Sequence, residues 1–407
     1  MKQVRAWIWK VGRVTLAIVL LVAVFKWTVK VSDTVRLRDG SVISGTVKEW
    51  TTEKVTIRSG KQSVTYPVSD LALRKGKPDV QRGLISLLKE MTLGEYALGL
   101  LLLGVPPAVG ALRWRMLLAA HGIGITRRRA MDLTLIGLFF NNFMPGLTGG
   151  DVVKAFYASR LTADKKTAAV VTVFLDRVIG MVALGIVAGA AILLGLFVSG
   201  AIADSNYKEA AWFVLGFMVI SIAGGVCFYS RRLRRLLSAA VRALPGYARV
   251  RRTRLVARAA DLIKRIDSSL LMYKYQKMVL LKTTAISFIA HFSAILAIYC
   301  FGRGLGITQA GVLHYFAVVP VGFILSSIGV TPAGWGVGEW VFGVLFAAVG
   351  VEFTAAVTMS VIYRLTQALW TLPGGVLFMF ERDRRAIRQA AEMPDPLLEG
   401  ENVAPGD

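Results

Sequence analysis

A break rich in proline and glycine occurs twice inside apolar sequence, and it constrains the fold more than any other feature. One copy spans Pro145–Arg177 and the other spans Pro332–Arg364, and each covers the same interval of 32 residues. A Gly-x-Gly-Ile-Thr sequence precedes each break, at Gly122–Thr126 and at Gly304–Thr308. Two ordered landmarks repeated at offsets of 182 and 187 residues indicate an internal duplication.

Composition places the chain in a membrane. Of its 407 residues 55% are hydrophobic, and several apolar runs are long enough to cross a bilayer. The net charge of +24 would suggest nucleic acid in a soluble protein, but residues 231–277 alone hold 14 basic and 2 acidic residues. Such a segment between spans is typical of a cytoplasmic loop on anionic headgroups. Two cysteines and three isolated histidines predict neither a disulfide framework nor a metal site.

The chain divides into six parts. The first contains a short apolar core after basic residues; with no small-x-small cleavage site behind it, we expect a signal anchor rather than a cleaved signal peptide. The predicted parts are an anchor (1–31), a small β domain (32–75), a first membrane repeat (76–230) with a hairpin near 133–161, a basic interfacial segment (231–277), a second membrane repeat (278–380) with a hairpin near 312–350, and a disordered tail (381–407).

The segment after the anchor has the pattern of β-hairpins. Polar and apolar residues alternate from Val35, and Asp39-Gly40 and Ser59-Gly60 are turn dipeptides. We predict four or five antiparallel strands in an SH3-like or Sm-like barrel outside the cytoplasmic face. Either a docking role or a mere insert is compatible with it.

Basic residues set the predicted topology. Arg113, Arg115 and Arg127–Arg129 mark the cytoplasmic side, and the helices that flank each break are too short to span comfortably. We therefore expect an all-α polytopic membrane protein with inverted repeats and two re-entrant broken-helix hairpins, plus the extracytoplasmic β-barrel-like domain. Paired broken helices of this kind meet near the midplane in secondary transporters.

The breaks themselves are candidate ligand sites. A helix that starts inside the membrane presents unpaired N–H groups and a partial positive charge, which suits a phosphate. Thr148 and Asp151 have the spacing of a capping box, and the second helix could start with Thr331 as its cap. Close helix packing through glycine is the alternative. The candidates from the two breaks are Asn141, Asn142, Pro145, Gly146, Gly149, Gly150, Pro332, Gly334, Gly336 and Gly338.

Charged residues within apolar sequence complete the candidate site. A charge at such depth costs several kcal/mol unless it is paired or hydrated. We hypothesise pairs that cross the repeats, Asp151 with Arg364 and Glu339 with Arg177, whose arginines have donors left for a phosphate. Pairing that only holds helices together is the alternative. The residues concerned are Asp151, Lys154, Asp176, Arg177, Glu339, Tyr363 and Arg364.

These motifs resemble a known family. The pattern P-G-x-x-G-G-D-x-x-K, then D-R, then P-x-G-x-G-x-G-E and Y-R is similar to the lysylphosphatidylglycerol synthase transmembrane-region family, also called flippase-like domain proteins, over residues 90–380. The family's usual Glu-Arg pair falls on Asp176-Arg177, and Lys154 stands where arginine is common. The resemblance implies movement of phospholipids or polyprenyl-linked lipids between leaflets. Lipid aminoacylation is not implied, because the aminoacyl-transferase domain of some members is absent.

We therefore expect a flippase-like or scramblase-like transporter of an anionic lipid, not an enzyme, in a bacterial inner membrane with the N-terminus cytoplasmic. We expect no cofactor, metal or nucleic acid, and the sequence has no Walker A motif. Asp151, Asp176 and Glu339 are candidate proton carriers for coupling to an ion gradient. The alternatives are a membrane enzyme with Asp151 or Glu339 as base, and a scaffold that recruits an envelope protein through the β domain.

Overall fold

A computed structural model describes residues 32–51, 53–60, 62–74, 77–143, 149–162, 164–199, 216, 268–269, 271–273, 275–327 and 335–391. The predicted signal anchor, residues 200–215 and 217–230 of the predicted first membrane repeat and most of the basic segment 231–277 lie outside these residues. Four candidate site residues also lie outside them: Pro145, Gly146, Pro332 and Gly334.

The N-terminal domain is a small antiparallel sheet. Its strand order is β4-β3-β2-β1-β7, and β5 and β6 form a separate two-stranded ladder. The apolar alternation places Val35, Val55 and Ile57 in a fully buried core. The strands are β1 (Asp33–Arg36), β2 (Val42–Trp50), β3 (Lys54–Ser59), β4 (Gln62–Pro67), β5 (Leu73–Arg74), β6 (Lys77–Pro78) and β7 (Val80–Gln81).

The sheet extends beyond the predicted domain. The predicted end at residue 75 is wrong, because β7 pairs with β1 and carries the sheet to Gln81. Within the described residues the main sheet has five strands, in agreement with the four or five expected, and the two-residue strands β5 and β6 form a ladder in addition. The Asp39-Gly40 turn is confirmed: Gly40 has φ 87° and the Asp39 carboxylate accepts the Ser41 N–H at 2.8 Å. Closure into an SH3-like or Sm-like barrel stays a prediction.

Asp33 joins the sheet to the first helix. Its buried carboxylate accepts hydrogen bonds from the Val47 N–H at 2.6 Å, the Gly83 N–H at 2.6 Å and the Ser86 hydroxyl at 2.8 Å. Gly83 is the N-cap of the first helix, α1 (Leu84–Lys89), so one carboxylate binds both β2 and the start of that helix. The β domain is therefore attached to the helical part by more than its chain connection.

The rest of the described chain is helical. Leu93–Ala120, Lys166–Ala191 and Lys277–Gly304 are long and apolar enough to cross a membrane. Exposed Leu101 and Ile289 lie on two of them, as expected for lipid-facing side chains. The helices are α1 (Leu84–Lys89), α2 (Leu93–Leu103), α3 (Val105–Ala120), α4 (Arg127–Phe143), α5 (Gly149–Ala158), α6 (Lys166–Ser199), α7 (Lys277–Gly304), α8 (Val312–Ser327), α9 (Val337–Ala348) and α10 (Phe353–Ala391).

Each predicted break lies between two short helices that pack antiparallel. In the first hairpin the Gly150 N–H at the start of α5 donates to the Asn141 Oδ1 near the end of α4, at 2.9 Å. In the second, the rings of Phe323 and Phe342 are 6.0 Å apart, and those of Tyr315 and Phe346 are 4.9 Å apart. Phe323, late in α8, thus contacts Phe342, early in α9, whereas the earlier Tyr315 contacts the later Phe346, so the two helices run antiparallel.

Helices α3 and α7 also pack antiparallel. The Tyr273 hydroxyl, before α7, donates to the Leu117 carbonyl late in α3 at 2.9 Å, and Arg113, earlier in α3, donates to the Ser287 hydroxyl within α7 at 2.8 Å. Contacts therefore run from the end of one helix to the start of the other. Across the hairpins, α4 packs on α10 and α8 packs on α6.

The two helix ends that carry the repeated Gly-x-Gly-Ile-Thr sequence have the same cap. Gly122 and Gly306 have φ of 67° and 75°, and the next residue's N–H binds a carbonyl five residues earlier, at 3.0 Å for Ile123 and 2.9 Å for Ile307. The structural match therefore aligns Gly122 with Gly306, two residues away from the sequence match with Gly304.

Three predicted helix ends are wrong. The first hairpin begins at Arg127 rather than near 133, because the Arg127–Arg129 run is helical after a Thr126 cap that accepts the Arg129 N–H at 3.2 Å. The helix α9 starts at Val337, not at Pro332, because Gly336 has a non-helical φ of 84°. The helix α10 continues to Ala391, so residues 381–391 are helical rather than part of a disordered tail.

Candidate ligand site among the membrane helices

A cavity of about 400 Å³ lies among the membrane helices. It is lined by residues of the seven helices α2 to α8 and of α10, and we call it the central cavity. Apolar side chains such as Leu184 and Phe323 form part of its wall. Its charged lining residues, among those the structure describes, are three basic and two acidic: Arg113, Lys154, Arg177, Asp151 and Asp176.

Asp176 on α6 is the centre of one charged cluster. Its Oδ1 accepts the Arg113 Nε–H at 2.6 Å, and its Oδ2 lies 3.7 Å from the Lys154 Nζ. The Arg113 guanidinium also donates to the Ser287 hydroxyl at 2.8 Å, which connects α3 with α7. The Lys154 ammonium lies 4.3 Å from the centre of the Trp114 ring, a cation–π distance. Two cations therefore share one carboxylate at the wall of the cavity.

Asp151 forms the second pair. It is the third residue of α5, where a carboxylate is favourable because of the helix dipole, and its Oδ2 lies 3.2 Å from the Arg177 Nη1. The Arg177 side chain is 37% exposed, whereas the other four charged side chains of the cavity are between 7% and 14% exposed. Arg177 is thus the cation most accessible from the cavity.

The second hairpin has an equivalent pair in a different environment. Glu339 is the third residue of α9; its Oε2 accepts the Gly336 N–H at 2.6 Å, and its Oε1 lies 2.8 Å from the Arg364 Nε. The two side chains are only 1% and 9% exposed. Gly338 leaves room for the arginine, since a Cβ there would collide with the guanidinium. Neither charged residue is among those that line the central cavity.

The predicted pairing across the repeats is therefore wrong. Asp151 pairs with Arg177 rather than Arg364, and Glu339 pairs with Arg364 rather than Arg177. In each half the long helix that follows the hairpin packs against the hairpin's second helix. Arg177 of α6 consequently reaches Asp151, and Arg364 of α10 reaches Glu339.

The structure brings together most of the predicted residues of the first half and, apart from Tyr363, separates them from the described residues predicted in the second half. Asn142 donates to the Thr371 hydroxyl of α10 at 2.8 Å, and Gly149 begins α5. Gly150 packs so closely that a Cβ would collide with the Gly137 carbonyl. The predicted residues that line the cavity are Asn141, Asn142, Asp151, Lys154, Asp176, Arg177 and Tyr363, whereas Gly336, Gly338, Glu339 and Arg364 do not line it.

Sequence reasoning missed Arg113. Its position predicts a marker of the cytoplasmic boundary, yet its side chain is 12% exposed and lies in the cavity. A usable signal is that the candidate span continues for seven residues beyond it, to Ala120. His291 was also missed; it lines the cavity, and its Nε2 is 2.9 Å from the Gly180 carbonyl oxygen.

Comparison with known proteins finds relatives that are described as membrane proteins. A UPF0104 membrane protein from Pyrococcus horikoshii is 25% identical over 312 residues, which cover 73% of this chain and 90% of that protein. A UPF0104 membrane protein from Methanothermobacter thermautotrophicus is 22% identical over 262 residues, covering 63% of this chain and 76% of that protein. The sequence pattern of the family described as "Lysylphosphatidylglycerol synthase TM region" matches residues 81–374, which include every described residue of the central cavity. This multi-pass membrane chain belongs to the lysylphosphatidylglycerol synthase transmembrane-region family.

Proposed function

We propose that the chain is a flippase-like or scramblase-like transporter that moves an anionic phospholipid or a polyprenyl-phosphate-linked lipid between the leaflets of a bacterial inner membrane. The observation that carries the proposal is the charge of the central cavity. Among the described residues that line it, Arg113, Lys154 and Arg177 are basic and Asp151 and Asp176 are acidic, so these charges sum to +1. An anionic headgroup would balance that excess in a place where an unpaired charge is costly.

The size of the cavity fits a headgroup rather than a whole lipid. About 400 Å³ lies at the small end of the ligand sites found in proteins, and two long acyl chains would not fit in it. We propose that the phosphate binds Arg177, whose side chain is the most exposed of the five charges, while the chains remain in the bilayer. The Asn141 and Asn142 amides of the same wall could bind other headgroup oxygens.

The proposed mechanism needs two inverted repeats with re-entrant hairpins. Three features support this arrangement: α3 and α7 pack antiparallel, both breaks lie inside antiparallel helix pairs, and each acid at the third position of α5 or α9 pairs with an arginine of the next helix. Exposed apolar side chains on the hairpin helices, Val152 and Phe156 on α5 and Trp340 and Val344 on α9, suit contact with lipid. The Asp151–Arg177 pair faces the cavity, whereas the Glu339–Arg364 pair is buried. This difference suggests two states of the transporter that differ in which pair faces the cavity.

The test is lipid movement in liposomes that contain the purified full chain. Labelled phosphatidylglycerol, phosphatidylcholine and a polyprenyl phosphate would be compared for wild type, Arg177→Ala and Arg177→Lys. We expect Arg177→Ala to abolish movement of the anionic lipids and Arg177→Lys to retain part of it, because lysine keeps the charge but loses the bidentate geometry. Arg303→Gln is the matched control, since Arg303 is exposed at the end of α7 and does not line the cavity.

Transport that does not depend on Arg177 would contradict the proposed site. No movement of any probe by a well-folded wild type would favour the other two functions, an enzyme on a lipid-linked substrate or a scaffold for an envelope protein. Removal of the β domain separates the scaffold from the transporter, because a transporter should still move lipid without it. The deletion should cover residues 32–81, since β7 completes the sheet.

A further inference from the structure

A second hollow, of about 500 Å³, lies between the start of α4 and the later part of α10. Its polar wall is formed by Thr126, Arg128, Arg129 and Asp132 of the α4 end. Its apolar wall is formed by Ile136, Leu377 and Phe380. None of these residues lines the central cavity, so this basic groove is a separate feature.

The charge of the basic groove favours an anion. Arg128 is exposed and Arg129 is partly exposed, and Asp132 is the acid that the structure describes on the same wall. The charges of these three described side chains sum to +1. Guanidinium groups bind phosphate oxygens through two parallel hydrogen bonds, and Asp132 could accept a hydrogen bond from a headgroup hydroxyl.

The apolar side of the groove continues onto a lipid-facing surface. Phe380 is 62% exposed, and Val376 and Met379 next to it on α10 are 53% and 69% exposed. These side chains lie on a helix that packs within the membrane part of the protein. A ligand with a charged head and long apolar chains would therefore bury both parts here, whereas a free anion would contact only one wall.

We propose that the basic groove is a binding site for one anionic phospholipid, whose phosphate binds Arg128 and Arg129 and whose chains lie along α10. The same two helices pack tightly beside the groove, since a Cβ on Gly374 would collide with the Leu135 carbonyl, and the groove shares no described lining residue with the central cavity. Occupancy of the groove does not depend on lipid movement through the central cavity.

The test is native mass spectrometry of the full chain in detergent with added phosphatidylglycerol, with phosphatidylcholine of the same acyl chains, or with inorganic phosphate. We expect wild type to retain phosphatidylglycerol, and the double variant Arg128→Gln/Arg129→Gln to bind it about tenfold more weakly or worse, because it loses two charge-assisted contacts. The matched control is Arg127→Gln/Arg160→Gln, which also removes two exposed arginines but none from the groove. Arg177→Ala shows separately whether a retained lipid occupies the central cavity.

Equal retention of phosphatidylglycerol by wild type and Arg128→Gln/Arg129→Gln would overturn the proposal. So would equal retention of phosphatidylcholine, or displacement of phosphatidylglycerol by inorganic phosphate, which would indicate a free-anion site. A second measurement guards against a folding defect: hydrogen exchange of wild type in phosphatidylglycerol and phosphatidylcholine nanodiscs. Slower exchange of residues 127–132 in phosphatidylglycerol is expected, and identical exchange in the two lipids would also overturn the assignment.

Discussion

The Nε of Arg113 lies 2.6 Å from the Oδ1 of Asp176, across the interface of α3 and α6. Both side chains are 12% exposed, and the same carboxylate lies 3.7 Å from the Lys154 ammonium. The carboxylate therefore neutralises one of two adjacent cations, and the second cation gives the central cavity its excess positive charge. Asp176 therefore has two roles: it joins α6 to α3 through Arg113, and it sets the charge of the proposed ligand site.

Removing the acid should cost more than removing one cation. With Asp176→Asn, Arg113 and Lys154 face each other without a carboxylate, and we expect a loss of ~3 kcal/mol in unfolding free energy. Arg113→Gln leaves the Lys154–Asp176 pair and should cost less. Thermal unfolding in detergent of both variants and of the double variant measures the coupling. A double variant whose loss equals the sum of the single losses would contradict a direct interaction between the two residues.

The buried pair in the second hairpin should not tolerate exchange of its charges. Glu339 accepts the Gly336 N–H as well as pairing with Arg364, so Glu339→Arg/Arg364→Glu would place a cation at the start of α9. We expect this variant to be no more stable than Glu339→Gln alone, which should lose ~3 kcal/mol because it leaves a buried arginine without its carboxylate. Thermal unfolding of wild type, Glu339→Gln and Glu339→Arg/Arg364→Glu measures these stabilities. Recovery of wild-type stability in the exchange variant would refute the capping role of Glu339.

The sequence predicted part of the helix ends beside the breaks, because some of their signals are local. Val312 and Ser327 bound α8 as predicted, and glycines at 149 and 336 begin or cap the helices after the breaks. The charge pairing was not predictable in the same way. Which acid Arg177 reaches depends on which helices pack together, and periodicity does not contain that information.

Two other differences have equally specific causes. Arg113 resembled a boundary residue because a cation in an apolar run usually marks the end of a span, and only the partner on α6 shows why it is stable inside. The strand β7 has two residues, too few to show alternation, so the sequence could not extend the β domain to Gln81. Local patterns therefore identified the elements, whereas contacts between distant elements decided the site.

Close helix packing should make Gly374 intolerant of a side chain. A Cβ at this position would collide with the Leu135 carbonyl where α10 crosses α4. Because backbone atoms cannot move aside as a flexible side chain can, we expect Gly374→Ala to cost ~2 kcal/mol or more. Gly94→Ala is the control: nothing lies within 4 Å of its Cβ position, and alanine is the better helix former. Thermal unfolding that is equally reduced in both variants would argue against tight packing at this crossing.

The turn after α3 should make stability dependent on pH. His121 is buried just beyond the span, and burial, together with the nearby Lys165 ammonium, holds the pKa of His121 below its usual value. Its ring packs edge-on against Tyr273 at 4.9 Å, and burial raises the pKa of Tyr273, so the tyrosine stays neutral over this range. The folded protein therefore favours the neutral imidazole.

The sign of the effect follows from proton binding. Below the usual histidine value of about 6.5, the unfolded chain binds a proton at His121 that the folded protein does not, so stability present above this pH is lost as the pH falls. We expect the thermal midpoint in detergent to decrease between about pH 7.5 and about pH 5.5. His121→Phe keeps an aromatic ring beside Tyr273 and should reduce that decrease, whereas His314→Gln, at a histidine on α8, should not. If His121→Phe and wild type show the same pH dependence, another group is responsible for it.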